Sequence, residues 1–179
     1  MRRLLSLVFI VSTAFFGAVV AAVADDALEA FYGAWAGIGV TADADLEEDP
    51  VTIRETDVTI SPVEDGFEIR WTARPEEAAL GGLVPAGKTA ALRFVATPEP
   101  GFFEAKGGEL PLGPGVKGVA EVTDGRLLVI ITETTTGGET SVARYERTVS
   151  GNDMRLKYTL TEASEVVRKV SGNLRRLPR

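Results

Sequence analysis

The sequence has 179 residues and a formal net charge of −7, and it contains neither cysteine nor histidine. An acidic chain without a concentrated basic stripe argues against nucleic acid and anionic lipid head groups as partners. The lack of histidine and cysteine excludes Ser-His and Cys-His nucleophile systems, disulfides, and the usual axial ligands of haem. We therefore expect no cofactor and no enzymatic activity, although acid–base chemistry by a pair of carboxylates stays open.

Residues 1–24 have the pattern of a secretory signal peptide. Two arginines precede a long apolar run, and residues 22–24 form an A-x-A cleavage signal just before two aspartates. The alternative is an uncleaved membrane anchor, because the apolar run approaches the roughly 20 residues that span a bilayer. Cleavage after Ala24 predicts a periplasmic or secreted protein without a stable membrane anchor, in which residues 25–179 form a single domain.

The domain is predicted to begin with helical turns and to continue as a series of short strands. Residues 25–32 predict one or two turns of helix, with an aspartate cap and with Leu28, Phe31 and Tyr32 on one apolar face. After Gly33, β-branched and aromatic residues alternate with polar ones between turn residues, which is typical of antiparallel sheets. The predicted strands are 34–41, 51–60, 67–74, 88–97, 101–105, 116–123, 126–134, 139–149, 153–161 and 165–172.

Connections of hairpin length between consecutive strands exclude parallel βαβ units, which need crossovers of a dozen or more residues. A single antiparallel sheet of this size leaves two unpaired edges unless it closes. We therefore predict an all-β fold, a single antiparallel up-and-down barrel of about eight to ten strands with a short N-terminal helix. A two-sheet β-sandwich is the alternative.

The predicted connections differ between the two ends of the barrel. Successive connections of a meander alternate between ends, and the three long ones, 42–50, 75–87 and 106–115, all fall at the same end. This arrangement suits a barrel that holds a ligand or a partner, because a rigid scaffold presents variable loops. The helical turns enter at the opposite end, where we expect them to plug the barrel.

One long loop contains a match to the phosphate-binding P-loop. From Gly82 the residues follow the pattern G-x-x-x-x-G-K-T. A P-loop needs a helix directly after the motif in a parallel sheet, whereas the residues after Thr89 alternate as a strand. We therefore expect no nucleotide. Leu80 and Leu83 belong to an apolar stretch that we interpret as a lid over the barrel mouth or a partner contact.

At Gly33 and Trp35 the chain resembles the lipocalin and wider calycin superfamily, which has a G-x-W motif at the start of its first strand. The resemblance implies a helix that closes the barrel base and structural roles for Gly33 and Trp35. It also implies a basic residue of the last strand that covers the tryptophan, here Arg168 or Arg175. An apolar-ligand barrel and a barrel with a purely structural core are both compatible with this resemblance.

Alternation along the strands predicts which side chains line the interior. These are Phe67, Trp71, Phe94, Tyr145 and Tyr158. Small barrels often pack solid, so the rings could simply fill the interior. Arg147 shares a strand face with Tyr145, and it points inward unless a bulge returns it to solvent. An inward arginine needs a partner and would suit a carboxylate head group, such as that of a fatty acid.

The first long loop concentrates acidic residues, with five carboxylates between residues 43 and 49. Calcium prefers such oxygen ligands, but the glycine that lets an EF-hand loop turn is missing. Acidic hairpin loops are commonly just solvated, so we expect no metal site.

These features predict an exported, non-enzymatic barrel for a small apolar or amphipathic, fatty-acid-like ligand held beneath the 75–87 and 106–115 loops. The residues predicted to bind it are Phe67, Trp71, Leu80, Leu83, Phe94, Tyr145, Arg147 and Tyr158. The alternative is a solid-core module whose long loops contact another cell-envelope protein, as an inhibitor or assembly factor.

Overall fold

Short alternating segments of the chain form ten β-strands in the computed structural model, which describes residues 27–43, 52–72, 89–107 and 115–178. Residues 27–29 are helical. The strands are β1 (Gly33–Asp43), β2 (Thr52–Val63), β3 (Gly66–Thr72), β4 (Thr89–Ala96), β5 (Phe102–Gly107), β6 (Val116–Thr123), β7 (Arg126–Thr134), β8 (Thr140–Ser150), β9 (Asp153–Glu162) and β10 (Glu165–Arg176).

The strands form a single closed antiparallel barrel, which confirms the predicted up-and-down topology. Each strand pairs with its neighbours in sequence, and β1 also pairs with β10. The closing ladder runs from the pair of Trp35 and Arg176 to the pair of Asp43 and Arg168. Closure leaves no unpaired edge among the described strands, so the chain does not form the alternative two-sheet sandwich.

The strand ends that border the three long connections lie together at one rim, which we call the loop rim. These ends include Asp43, Thr52, Thr72, Thr89 and Gly107. They share a rim because consecutive antiparallel strands reverse direction. The rest of the acidic loop, the lid residues Leu80 and Leu83, and the segment 108–114 lie outside the described residues.

The segment that follows the P-loop match is a strand. Thr89 is the last residue of the match and the first residue of β4, which pairs antiparallel with β3. A phosphate-binding loop requires a helix at this point, and its backbone amides would use the N-terminus of that helix. The local structure after Thr89 is therefore the strand that the alternating sequence predicts.

The predicted signal peptide, its cleavage site and the aspartate caps fall within residues 1–26, outside the described part of the chain. Within the described ranges, no helix is both long enough and apolar enough to cross a membrane.

Inward and outward side chains alternate along the strands, as β9 illustrates. Met154, Leu156 and Tyr158 are buried, whereas Arg155 and Lys157 face solvent. Burying each large apolar side chain contributes roughly 1.5–3 kcal/mol, which fixes the register of the strand against a one-residue slip. The inward residues of the ten strands form one core, and Leu28 and Phe31 of the N-terminal segment complete it.

The end of the barrel opposite the loop rim, which we call the base, is closed by contacts around Trp35. The indole Nε1 donates a hydrogen bond of 2.8 Å to the carbonyl of Phe31. The guanidinium of Arg176 lies 4.2 Å from the centre of the indole ring. Arg176 also donates hydrogen bonds to the carbonyls of Tyr32 and Ala30. It thus supplies a cation where the last carbonyls of a helical turn need partners.

Gly33 makes the turn from the N-terminal segment into β1. Its φ of +134° lies in the region that favours glycine. A Cβ at this position would also meet Nη1 of Arg176 at 3.3 Å. The spacing of Gly33 and Trp35 therefore has a physical basis, because the backbone conformation of the turn favours glycine and the lack of a Cβ leaves room for Arg176.

The prediction that Arg168 or Arg175 covers the tryptophan is wrong, because Arg176 does so. β10 continues beyond residue 172, its predicted end, and the closing register places Arg176 opposite Trp35. Arg168 pairs with β1 at the loop rim. The side chain of Arg175 is 83% exposed and lies 3.4 Å from Asp153.

The Arg176→Met variant tests the closure of the base. Methionine keeps the apolar stem but removes the cation–π contact and the charged hydrogen bonds, so we expect a loss of about 2–3 kcal/mol in the free energy of unfolding. Urea unfolding followed by tryptophan fluorescence measures it. The neighbouring Arg175→Met variant is the control and should change stability by less than about 0.5 kcal/mol. Equal effects of the two substitutions would contradict this role of Arg176.

Candidate ligand-binding site in the barrel interior

Arg147 of β8 lies inside the barrel. Its side chain is fully buried, with 0% of the residue exposed. The register is unbroken around it, with Leu127 of β7 on one side and Leu156 of β9 on the other. The sequence left open whether a bulge returns this residue to solvent, and the ladder shows that none does. A guanidinium is therefore placed between two leucines in an apolar core.

The guanidinium of Arg147 has no hydrogen-bond partner in the part of the chain that the structure describes. Its central carbon lies 5.4 Å from the centre of the Tyr145 ring, a cation–π contact. Burial lowers the pKa of Arg147 to about 10, so the side chain is still charged at neutral pH. An unpaired charge in such surroundings carries an effective desolvation penalty of several kcal/mol.

Three aromatic rings lead from Arg147 toward the loop rim. The ring of Tyr145 lies 4.8 Å from that of Tyr158 and 6.1 Å from that of Trp71. Tyr145 and Tyr158 are cross-strand partners on β8 and β9. Trp71 is the second-last residue of β3, next to its end at the loop rim. We call Arg147 and these three aromatic residues the interior polar cluster.

Two further polar atoms of the cluster lack partners. Within the described ranges, neither Nε1 of Trp71 nor the hydroxyl of Tyr158 forms a hydrogen bond, although both atoms are buried. Burial raises the pKa of Tyr158 to about 12 and that of Tyr145 further, so both phenols are neutral at physiological pH. Buried polar atoms in native proteins usually have partners, which makes three such groups in one cluster unusual.

The interior polar cluster is rich in hydrogen-bond donors and poor in acceptors. A guanidinium and an indole N–H only donate, and a neutral phenol donates or accepts. Among the residues whose burial the structure describes, no aspartate or glutamate is buried. The described residues also contain no group of three acidic side chains able to hold a metal ion. The arrangement is thus suited to binding hydrogen-bond acceptors.

The wall beside Arg147 carries little side-chain volume. The register continues from Leu156 to Gly172 of β10 and Gly39 of β1, and both glycines are buried. Other small buried residues at inward positions are Gly118, Ala120 and Ala143. A barrel of about eight strands is just filled by side chains or holds one small ligand, and the diameter grows with strand number. A Cβ at Gly118 would meet the side chain of Ala105 at 2.7 Å, so the small residue at this position allows close packing with the neighbouring strand.

The structure divides the predicted ligand-binding residues into two groups. Trp71, Tyr145, Arg147 and Tyr158 come together in the interior polar cluster. Phe67 and Phe94 are buried but stack on each other at 5.0 Å, and Phe103 packs edge-on against Phe67 at 5.0 Å. This second group carries no polar atom and serves as apolar wall.

Sequence reasoning missed Gly39 and Gly172. Both lie within predicted strands, but a glycine carries no hydrophobic signal that marks an inward position. The strict alternation of β1 from Trp35 would have assigned Gly39 to the interior. Its pairing with Gly172 depends on closure between the first and last strands, which no local pattern encodes.

No protein-family model matches the sequence, and no protein with a curated description is similar to it. Its fold is similar to the crystal structure of a DUF3598-family protein of unknown function from Nostoc punctiforme, with a TM-score of 0.56 and 12% identity. That match covers 84% of this chain and 48% of the other, so the chain spans about half of that protein. The crystal structure of Rv2717c from M. tuberculosis matches with a TM-score of 0.47 and 17% identity, over 87% of this chain and 98% of that one. At these identities the likeness concerns the fold alone.

The Arg147→Met variant should be more stable than the wild type once bound small molecules have been removed. An apolar side chain of similar volume avoids the cost of a buried unpaired charge, so we expect a gain of about 1–3 kcal/mol in the free energy of unfolding. Urea unfolding measures the difference. Leu156→Met, at the adjacent inward position, is the control and should cost less than about 1.5 kcal/mol. A loss of several kcal/mol in Arg147→Met would show that the charge is already paired in the free protein.

The raised pKa of Tyr158 predicts a loss of stability at alkaline pH. The unfolded chain releases the tyrosine proton near pH 10, whereas the folded chain retains it until about pH 12. The free energy contributed by this group is therefore fully present below about pH 10 and is lost as the pH rises toward 12.

Arg147 acts in the opposite direction in the same pH range, because its folded pKa is lowered to about 10. The comparison with Tyr158→Phe removes this effect, since both proteins retain Arg147. Between pH 10 and pH 12, the wild type should lose about 2–3 kcal/mol more than the variant, measured by urea unfolding at each pH. Parallel pH profiles for the two proteins would contradict the burial of the Tyr158 hydroxyl.

Proposed function

We propose that this chain is a calycin-type barrel that holds a small amphipathic carboxylic acid in its interior, with the carboxylate on Arg147. The observation that carries the proposal is the fully buried, charged guanidinium without an acceptor among the described residues. A buried cation is stable only when an anion and hydrogen bonds offset its desolvation. A carboxylate supplies both, because it can accept two parallel hydrogen bonds from the planar guanidinium.

The surroundings of Arg147 favour a carboxylate over a phosphate. Arg147 is the one charged residue in the described core. A single carboxylate neutralises a single guanidinium, whereas a phosphate dianion would leave a surplus negative charge in a medium of low dielectric constant. The leucines beside Arg147 and the neighbouring rings would contact an apolar body. Fatty-acid-like molecules combine these two features.

The architecture supports an interior site that opens at the loop rim. Leu28 and Phe31 fill the base, and Arg176 holds the N-terminal segment against Trp35. The interior polar cluster leads from Arg147 to Trp71 near the loop rim. A ligand would therefore enter with its carboxylate first and would leave its apolar end toward that rim.

The proposal includes export and excludes catalysis by the interior cluster. The signal-peptide pattern of residues 1–24 supports a periplasmic or secreted location. The cluster contains no carboxylate, histidine or thiol that could serve as base or nucleophile beside Arg147. A binding barrel accordingly explains the arrangement with fewer assumptions than an enzyme.

Native mass spectrometry of protein purified from its own cell envelope tests the proposal. We expect a co-purifying small acid, and we expect the emptied protein to take up a fluorescent fatty acid. Removing the buried charged partner should cost about 2–5 kcal/mol, or a loss of affinity of roughly 30-fold or more in Arg147→Met. The methyl ester of the same probe should bind the wild type comparably weakly.

Arg144→Met is the matched control, because Arg144 lies on β8 but faces solvent beside Glu146. This variant should bind the fluorescent fatty acid like the wild type. Repeated purification without a small molecule, together with no uptake of the probe, would count against the proposal. That outcome would favour a solid-core module that contacts another envelope protein.

A further inference from the structure

We infer that the ligand carries a second hydrogen-bond acceptor along its chain, a hydroxyl or keto oxygen that Trp71 and Tyr158 recognise. This inference rests on the proposed function and specifies its ligand class as oxygenated rather than plain fatty acids. The inference depends on two buried polar atoms that are additional to the guanidinium of Arg147, which binds the carboxylate.

The two atoms are the indole Nε1 of Trp71 and the hydroxyl of Tyr158. Trp71 is 4% exposed and Tyr158 is 1% exposed, and within the described ranges neither atom has a hydrogen-bond partner. Leaving a buried donor unsatisfied costs about 1–3 kcal/mol, and a phenylalanine at either position would avoid this cost. The placement of two such donors in one interior is therefore best explained by an acceptor that the ligand brings.

The two donors and the charge are arranged around the ring of Tyr145. Arg147 and Trp71 both lie beside the Tyr145 ring, at 5.4 Å and 6.1 Å from its centre, and Tyr158 lies 4.8 Å from it. The guanidinium and the indole therefore lie beside the same aromatic ring. A carboxylate that accepts two parallel hydrogen bonds from Arg147 has both its oxygens on the guanidinium, so we place the second acceptor farther along the ligand chain.

A site of this kind discriminates strongly against a ligand that lacks the oxygen. Binding a plain acyl chain would leave both donors buried and unpaired, whereas an oxygenated chain satisfies at least one of them. Sites built to hydrogen-bond a hydroxyl or an N–H reject the analogue without it far more strongly than apolar pockets reject an extra methylene. We expect at least about a tenfold preference, equivalent to one satisfied buried donor.

Isothermal titration calorimetry with decanoic acid and its hydroxy and oxo derivatives tests the inference. The oxygen is moved along the chain in a series of positional isomers, and the wild-type affinity should peak at a mid-chain position. The best isomer should bind at least about tenfold more tightly than decanoic acid.

Trp71→Phe and Tyr158→Phe remove the donors but keep an aromatic ring at each position. Each variant should reduce the preference for the oxygenated acid at least about threefold, and the double variant should abolish it. The affinity for decanoic acid itself should stay the same or improve. Arg144→Met, at a solvent-facing position of β8, is the control and should leave the preference unchanged.

The outcomes separate the inference from the proposed function. Equal binding of decanoic acid and all its derivatives, still dependent on Arg147, would overturn the inference and leave the proposed function intact. A preference that survives the Trp71→Phe/Tyr158→Phe double variant would also overturn it. If none of these acids binds the wild type, the proposed function itself fails.

Discussion

Closure of the barrel through the pairing of β1 with β10 is the constraint on which the rest of the structure depends. The two strands lie at opposite ends of the domain, so their pairing must offset the loop-closure entropy of almost the entire chain. The hydrogen bonds of a continuous ladder from Trp35 to Asp43 supply part of the free energy that offsets this entropy. The contacts of Arg176 with Trp35 and the N-terminal segment supply a further part. Closure makes every inward side chain a buried one, whatever its polarity. The environment of Arg147 is thus a consequence of a contact between strands that do not include it.

The buried position of Arg147 lowers the stability of the fold, because its guanidinium is desolvated without a partner among the described residues. Strand alternation with an unbroken register sends its side chain inward, and the neighbouring positions along and across the strands are apolar or aromatic. A methionine would satisfy the same packing without a desolvation penalty. Residues that lower stability without serving the fold are expected at functional sites. The unpaired donors of Trp71 and Tyr158 belong to the same pattern, so the polar groups of the interior share one explanation.

Much of the fold could be predicted from the sequence because period-two alternation and turn residues are local signals. They predict the ten strands, and the same alternation assigns Trp71, Tyr145 and Tyr158 to the interior. Two features could not be predicted because they depend on distant register. Arg176 rather than Arg168 or Arg175 covers Trp35 because β10 extends beyond its predicted end and its pairing with β1 places Arg176 opposite Trp35. The contact of Trp71 with Tyr145, which places Trp71 in the polar cluster and not with Phe67 of the same strand, likewise joins β3 and β8, which are distant in sequence.

Only a small number of inward positions in this barrel carry polar groups that packing does not require. The DUF3598-family structure shares the fold at 12% identity, which shows how little of the sequence the architecture requires. Outward residues need only be polar, and most inward residues need only be apolar and of suitable size. Packing alone does not require the polar groups of three inward residues. Each of them places a hydrogen-bond donor in the interior, and they are Arg147, Tyr158 and Trp71. Under the proposed function, the complement of these donors is a carboxylate followed at a distance by a second oxygen.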